Sequence, residues 1–210
     1  MRAGLDAVTI DAYGTLVTLG DPIGALAEAL ERRGAGVARE QVAEAFAAEV
    51  AYYRPRSHEG RDAGTLAELR RECTRVFLEA AGADTISPRD FAADFVGALR
   101  FELLPGALEA CEALENAGLR VGVVSNWDIG LHEHLERLGL DGLLSTVVTS
   151  AEAGAPKPDP AVFRLALARL GVSAERAVHV GDSDADEFGA RAAGMRYRPA
   201  PLADAIKDLA

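Results

Sequence analysis

The feature that most constrains the fold is an alternation of short β-branched apolar segments with amphipathic helical segments. The apolar segments are 7–13 (AVTIDAY), 119–126 (LRVGVVSN), 144–150 (LSTVVTS), 177–183 (AVHVGDS) and, more weakly, 195–199. The helical segments 108–117, 131–138, 160–170 and 187–193 are each followed by glycine, the residue favoured just beyond a helix. This order predicts an α/β fold, a Rossmann-like parallel sheet with helices on both faces.

A long helical stretch separates the first two predicted strands. Residues 20–105 contain no convincing strand, and their periodicity predicts helices over 22–33, 39–54, 65–81 and 88–101. Four consecutive helices of this length predict a small bundle. We therefore predict two domains: an α/β core formed by residues 1–19 and 103–210, and an inserted helical domain formed by residues 20–102.

The charge of the chain limits its partners. The 210 residues include 22 Lys plus Arg and 33 Asp plus Glu, a net charge of −11. Such a chain repels nucleic acid and anionic membranes unless a basic patch overrides the balance, and no such patch is evident. The expected partner is a small anionic molecule bound near a local positive charge, with no nucleic acid and no membrane. The two widely spaced cysteines and the absence of a signal or membrane-spanning pattern predict a cytoplasmic protein. A monomer or a homodimer is expected.

Four short polar segments lie at or just beyond the ends of predicted strands. They are Asp11–Thr15 (DAYGT), Ser125–Asp128 (SNWD), Lys157–Pro160 (KPDP) and Gly181–Asp186 (GDSDAD). Because parallel strands place their carboxyl ends at one crevice, we expect these segments to form one site. They offer a carboxylate nucleophile, a hydroxyl and an ammonium to hold anionic oxygens, and carboxylates for a divalent cation. This combination suits displacement at an anionic centre.

In this order, the four segments resemble the four motifs of the haloacid dehalogenase-like hydrolase superfamily, and the resemblance covers essentially the whole chain. The helical insertion resembles the small α-helical cap that one subfamily carries after motif one. The resemblance implies that Asp11 is the nucleophile and that Thr15 steadies its loop. It implies that Ser125, with the main chain at Asn126, binds a substrate oxygen, and that Lys157 neutralises accumulating charge. The implied cofactor is Mg²⁺, with the ligands Asp11, the Tyr13 carbonyl, Asp182 and Asp186. Tyr13 is also expected to contact the substrate.

Tyr13 departs from the phosphatase pattern. Phosphatases of this superfamily usually carry a second aspartate there as general acid and base. Tyrosine, whose ordinary pKa is about 10, is a poor substitute. A tyrosine at this position is typical of 2-haloacid dehalogenases, since a halide leaves without a proton. Metal-independent dehalogenases, however, have neutral residues in place of Gly181–Asp182, and a tyrosine where this chain has Phe163. Asp128 is a candidate for the missing proton-transfer group.

We therefore predict a Mg²⁺-dependent phosphatase that acts on a small phosphorylated metabolite through an aspartyl-phosphate. A metal-independent 2-haloacid dehalogenase and a non-catalytic binding protein with the same fold are the alternatives. In the cap, the segment 52–61 (YYRPRSHEGR) is the one cluster of aromatic and basic residues in the sequence. If this segment faces the crevice, the residues expected to bind and select the substrate are Arg54, Arg56, His58 and Arg61. The alternative is an ordinary solvated helix end.

Overall fold

The computed structural model describes residues 4–209, and the chain divides into two compact units. One unit combines the described residues up to Thr18 with those from Glu102 onward, and the other is Leu19–Phe101. The predicted domain boundaries each lie one residue from these. No helix among residues 4–209 is long and apolar enough to cross a membrane.

The first unit is built on a parallel sheet. The strands of the chain are β1 (Ala7–Ile10), β2 (Val17–Leu19), β3 (Phe101–Leu103), β4 (Arg120–Ser125), β5 (Thr146–Thr149), β6 (Ala177–Gly181) and β7 (Arg196–Pro199). Five of them form a sheet in the order β5-β4-β1-β6-β7, and every neighbouring pair is parallel. All four residues of β1 are buried, as expected for a central strand covered on both faces. The predicted α/β fold is confirmed.

Helices flank this sheet and supply its core. The helices of the chain are α1 (Pro22–Arg32), α2 (Arg39–Tyr53), α3 (Ala63–Ala80), α4 (Pro88–Ala98), α5 (Ala107–Asn116), α6 (Leu131–Arg137), α7 (Ser150–Ala153), α8 (Ala161–Leu170), α9 (Asp184–Ala192) and α10 (Leu202–Ala205), with 3-10 helices at Arg54–Glu59 and Ala174–Arg176. Phe163 and Leu167 of α8 pack in one apolar cluster with Val124 of β4 and Val148 of β5. This packing covers one side of the β4 and β5 strands.

The second unit is a bundle of α1 to α4, as the helical periodicity predicts. Its core centres on Phe77 of α3, whose ring lies 6.3 Å from that of Phe91 and 5.1 Å from that of Phe95. Helix α4 ends at Ala98 rather than at the predicted residue 101. The difference arises because Phe101–Leu103 is a strand that pairs with Val17–Leu19 in a two-stranded sheet. Three-residue strands are too short to produce a recognisable periodicity.

Helix α9 begins three residues earlier than predicted. The Ser183 hydroxyl accepts a hydrogen bond from the main-chain N–H of Asp186, and the Asp186 carboxylate accepts one from the N–H of Ser183. This reciprocal capping box satisfies N–H groups at the start of the helix, which therefore starts at Asp184. The cap also draws Asp186 into the first turn, where its side chain is buried.

Candidate active site

Three neighbouring strands bring the predicted segments together. Asp11 follows β1, Ser125 ends β4 and Gly181 ends β6, and β1 lies between the other two strands in the sheet. The Ser125 hydroxyl donates to Asp11 Oδ1 at 3.0 Å, and Lys157 Nζ donates to the same oxygen at 2.5 Å. The expected convergence is therefore present, although Asp11 and Lys157 are 146 positions apart.

Asp11 opens a tight loop that only glycine allows to close. The N–H groups of Leu16 and Val17 donate to the carbonyl of Ala12 at 2.9 and 2.8 Å. Gly14 has a φ of +88°, and a Cβ at this position would lie 2.4 Å from Asp182 Oδ2. Any side chain here would displace the carboxylate of Asp182, so Gly14 lets two of the predicted segments approach each other. The Thr15 hydroxyl in this loop is buried without a hydrogen-bond partner, and its steadying role stays a prediction.

Lys157 is buried and positioned by Asn126. The main-chain N–H of Lys157 donates to Asn126 Oδ1 at 2.6 Å, and Asn126 Nδ2 donates back to the Lys157 carbonyl at 3.1 Å. The side-chain amide of Asn126 is therefore engaged with Lys157, and the role of Asn126 in substrate binding stays a prediction. Its main-chain N–H remains the predicted contact. Lys157 Nζ also donates to the Val124 carbonyl at 3.2 Å and to Asp186 Oδ1 at 2.5 Å.

Three carboxylates form a cluster, and two of them pair with this lysine. Asp11, Asp182 and Asp186 each present an oxygen within 4.8 Å of the others. Burial disfavours the charged form of Lys157, but the charges of Asp11 and Asp186 outweigh it and raise the Lys157 pKa. Burial, together with the negative charges of Asp11 and Asp186, raises the pKa of Asp182. This set of hard oxygen donors with an excess of negative charge fits a divalent cation such as Mg²⁺.

The three carboxylates differ in how far they are already engaged. Asp186 is fully buried, and both of its oxygens accept hydrogen bonds. Oδ1 accepts hydrogen bonds from Lys157 Nζ and, at 2.9 Å, from His179 Nε2. Oδ2 accepts hydrogen bonds from the Ser183 N–H at 3.1 Å and from the Ser183 hydroxyl at 2.5 Å. Burial alone would raise the Asp186 pKa, but the His179 hydrogen bond and the Lys157 charge lower it. Direct metal binding by Asp186 would require one of these donors to leave, whereas Asp182 is exposed.

Tyr13, Asp128 and Phe163 bear on the choice between the phosphatase and dehalogenase interpretations. Tyr13 is 47% exposed and contributes no carboxyl group. Asp128 is buried, and its Oδ1 accepts the N–H of Gly130 at 2.7 Å, a side-chain to main-chain contact of the turn that precedes α6. Phe163, at the dehalogenase tyrosine position, is fully buried, and its ring meets that of His179 edge-on at 4.9 Å. Phe163 thus belongs to the packing beneath the site.

Three of the four predicted substrate-binding residues of the second unit lie on the 3-10 helix Arg54–Glu59, and Arg61 follows it. Arg56 stacks over the ring of Tyr52 at 4.2 Å and donates to the Tyr52 carbonyl at 3.0 Å, so its guanidinium rests on the preceding helix. His58 Nδ1 is buried without a hydrogen-bond partner, and Arg54 is exposed. The roles of Arg54, Arg56, His58 and Arg61 in substrate selection stay predictions.

Sequence reasoning missed two side chains behind the site. Thr9 Oγ1 lies 2.9 Å from His179 Nδ1, and His179 Nε2 lies 2.9 Å from Asp186 Oδ1. The signal was a histidine in a buried strand, two residues before Gly181. Strand alternation alone does not distinguish such a histidine from an ordinary core residue. Burial lowers the pKa of His179 despite the neighbouring carboxylate.

The fold and this constellation define a class of hydrolase. The model of the haloacid dehalogenase-like hydrolase family matches residues 5–194, and the chain belongs to that family. The cattle (Bos taurus) protein "Haloacid dehalogenase-like hydrolase domain-containing protein 3" is 40% identical over 120 residues, 55% of this chain and 48% of that protein. The chain thus spans about half the length of this relative.

Two further similarities cover most of the chain. A phosphoglycolate phosphatase of Rhodospirillum rubrum is 36% identical over 207 residues, which is 90% of this chain and 76% of that enzyme. The crystal structure of a 2-haloacid dehalogenase from Pseudomonas syringae pv. Tomato superimposes with a TM-score of 0.64 and 26% identity, covering 92% of this chain and 85% of that one. The chain is therefore similar both to a phosphatase and to a dehalogenase.

Proposed function

We propose that the protein is a Mg²⁺-dependent phosphatase that hydrolyses a small phosphorylated metabolite through an aspartyl-phosphate at Asp11. The observation that carries this proposal is the grouping of Asp11, Asp182 and Asp186, whose carboxylate oxygens lie within 4.8 Å of one another, next to Lys157, which pairs with Asp11 and Asp186. A metal-independent reaction would not require three carboxylates this close together. Similarity to the Rhodospirillum phosphoglycolate phosphatase over 90% of the chain supports the same reaction class.

Each residue of the site has a separate role in the proposed reaction. A carboxylate oxygen of Asp11 attacks phosphorus, the bond from phosphorus to the leaving oxygen breaks, and water then hydrolyses the acyl phosphate. Ser125, which already contacts Asp11, would bind a substrate oxygen, and Lys157 would offset the charge that accumulates in the transition state. Asp11, Asp182 and the Tyr13 carbonyl would hold Mg²⁺, with Asp186 beside them. The bound cation would neutralise phosphoryl oxygens.

The helical unit and the cysteines bear on the subfamily and the location of the protein. We assign the second unit to the small α-helical caps inserted after motif one, because the four helices α1 to α4 interrupt the core directly after the nucleophile loop. Cys73 and Cys111 are buried and form no disulfide, which is consistent with a reducing, cytoplasmic location. A small anionic substrate is the expected partner.

A second function is favoured by two observations. Tyr13 stands where a phosphatase would carry its second aspartate, and the Pseudomonas dehalogenase structure is similar over 92% of the chain. A metal-independent 2-haloacid dehalogenase would use Asp11 to displace halide from carbon, a step that needs no protonated leaving group. A non-catalytic binding protein with this fold would also lack that second aspartate.

One experiment separates the three functions. Phosphate release from p-nitrophenyl phosphate and halide release from 2-chloropropionate are measured with Mg²⁺ and with EDTA, using wild type and Asp11→Asn. The proposal requires phosphate release that EDTA abolishes and that Asp11→Asn lowers by at least about 10³-fold. Halide release that EDTA does not affect would establish the dehalogenase instead. The absence of both activities would favour a binding protein. Mass spectrometry checks that the asparagine has not deamidated.

A further inference from the structure

A buried histidine lies directly behind the candidate active site and has no part in the chemistry described so far. His179 is inside β6, is fully buried and is the cross-strand neighbour of Thr9 in β1. Its two ring nitrogens have separate partners: Nδ1 lies 2.9 Å from Thr9 Oγ1, and Nε2 lies 2.9 Å from Asp186 Oδ1. The ring of Phe163 holds the imidazole edge-on from a third side.

The partners determine which nitrogen carries the proton. Asp186 Oδ1 also accepts from Lys157 Nζ at 2.5 Å, so this carboxylate is ionised and can only accept hydrogen bonds. His179 Nε2 must therefore carry hydrogen and donate to Asp186. Nδ1 then has a lone pair, and the Thr9 hydroxyl donates to it. The hydrogen bonds run in one direction, from Thr9 to His179 to Asp186.

The chain of hydrogen bonds fixes the side chain that holds the lysine. Ser183 donates two hydrogen bonds to Oδ2 of Asp186. His179 and Lys157 each donate one to Oδ1. Without the histidine donor, the carboxylate would lose one restraint, and Lys157 would lose a fixed partner opposite Asp11. We propose that His179 is a positioning residue that, with Thr9 behind it, orients Asp186 and thereby holds Lys157 against the nucleophile. This proposal rests on the proposed function.

A matched set of variants distinguishes positioning from packing. His179→Leu fills the space without a donor, whereas His179→Gln places an amide N–H near the position of Nε2. We expect His179→Leu to lower kcat about 10–100-fold with a much smaller change in KM, and His179→Gln to recover most of that loss. Thr9→Val should lower kcat less than His179→Leu does, and Thr9→Ser, which keeps the hydroxyl, should retain more activity than Thr9→Val.

His132→Gln is the control, because His132 is a half-exposed histidine on α6 that pairs with Glu152. Kinetics are measured on whichever substrate wild type hydrolyses, since a phosphate ester and a haloacid would both react at Asp11. A phosphatase-inactive but dehalogenase-active wild type thus refutes the proposed function while leaving the positioning test intact. A wild type without either activity overturns both.

A readout without metal or substrate completes the test. Long-range proton–nitrogen correlation spectra of the ¹⁵N-labelled imidazole, recorded at neutral pH on metal-free protein, should show hydrogen on Nε2 and a lone pair on Nδ1. Circular dichroism and thermal unfolding confirm that each variant is folded. Hydrogen on Nδ1, unchanged kcat in folded His179→Leu, or equal losses in the leucine and glutamine variants would each overturn the proposal.

Discussion

Replacing Glu49 by glutamine should change how the stability of the protein depends on pH. Glu49 lies on α2 in the helical unit, is only 5% exposed, and is hydrogen-bonded by the thiol of Cys73 on α3. Burial raises the Glu49 pKa to about 7 from an ordinary value of 4.5, and the thiol opposes this only in part. The folded protein therefore favours the protonated carboxyl group over a pH range in which the unfolded chain is ionised.

The sign and size of the effect follow from these two pKa values. Below about pH 4.5 both states carry the proton, and the full stability is present. As the pH rises towards 7, the unfolded chain loses its proton first, so the free energy of unfolding falls until the folded carboxyl group also ionises. A pKa difference of about 2.5, at about 1.4 kcal/mol per unit, sets the total loss at about 3–4 kcal/mol.

The assay is urea unfolding of wild type and Glu49→Gln at pH 5 and pH 8. Glutamine cannot ionise, so the variant should gain about 2–3 kcal/mol relative to wild type between the two pH values. Glu44→Gln is the matched control, because Glu44 lies on the same helix and is exposed. If the stability difference between Glu49→Gln and wild type is the same at both pH values, the folded carboxyl group is not protonated at neutral pH and the reasoning is refuted.

Two further predictions concern the candidate active site. Tyr13→Asp should raise kcat for an alkyl phosphate by about 10²–10⁴-fold, and less for p-nitrophenyl phosphate, since a positioned acid helps a poor leaving group most; a folded variant without gain on either ester would contradict it. Asp182→Asn should weaken Mg²⁺ binding in calorimetry more than Asp186→Asn does, because both oxygens of Asp186 already accept protein hydrogen bonds. The opposite order would make Asp186 the principal ligand.

The parts of the site that sequence could predict are those that depend on strand ends. Asp11, Ser125 and Gly181 each follow or end a buried β-branched run, and parallel strands in a sheet bring such positions to one edge. The contact of Ser125 with Asp11 confirms that expectation. The five-stranded sheet follows from the same runs, because nearly continuous burial of short strands leaves a covered parallel sheet as the simplest arrangement.

The parts that sequence could not predict are specific side-chain partners. Whether Asn126 would bind a substrate or the main chain of Lys157 depends on the position of a loop 31 residues away. His179 reads as one more residue of a strand until its neighbours are known, and its hydroxyl partner Thr9 lies 170 residues earlier in the chain. Periodicity carries no information on contacts of this kind, which depend on sheet order and rotamer together.

The charge of the site links these contacts to the expected cofactor. An acidic chain that binds an anion needs a local positive charge at its binding site. Lys157 supplies that charge, but its ammonium already pairs with both Asp11 and Asp186. Three ionised carboxylates and one ammonium leave two negative charges uncompensated, and the neutral Tyr13 adds none of either sign. A phosphate ester approaching this site alone would be repelled. A divalent cation cancels both charges, so phosphate binding at Asp11 and cation binding beside Asp182 should each strengthen the other.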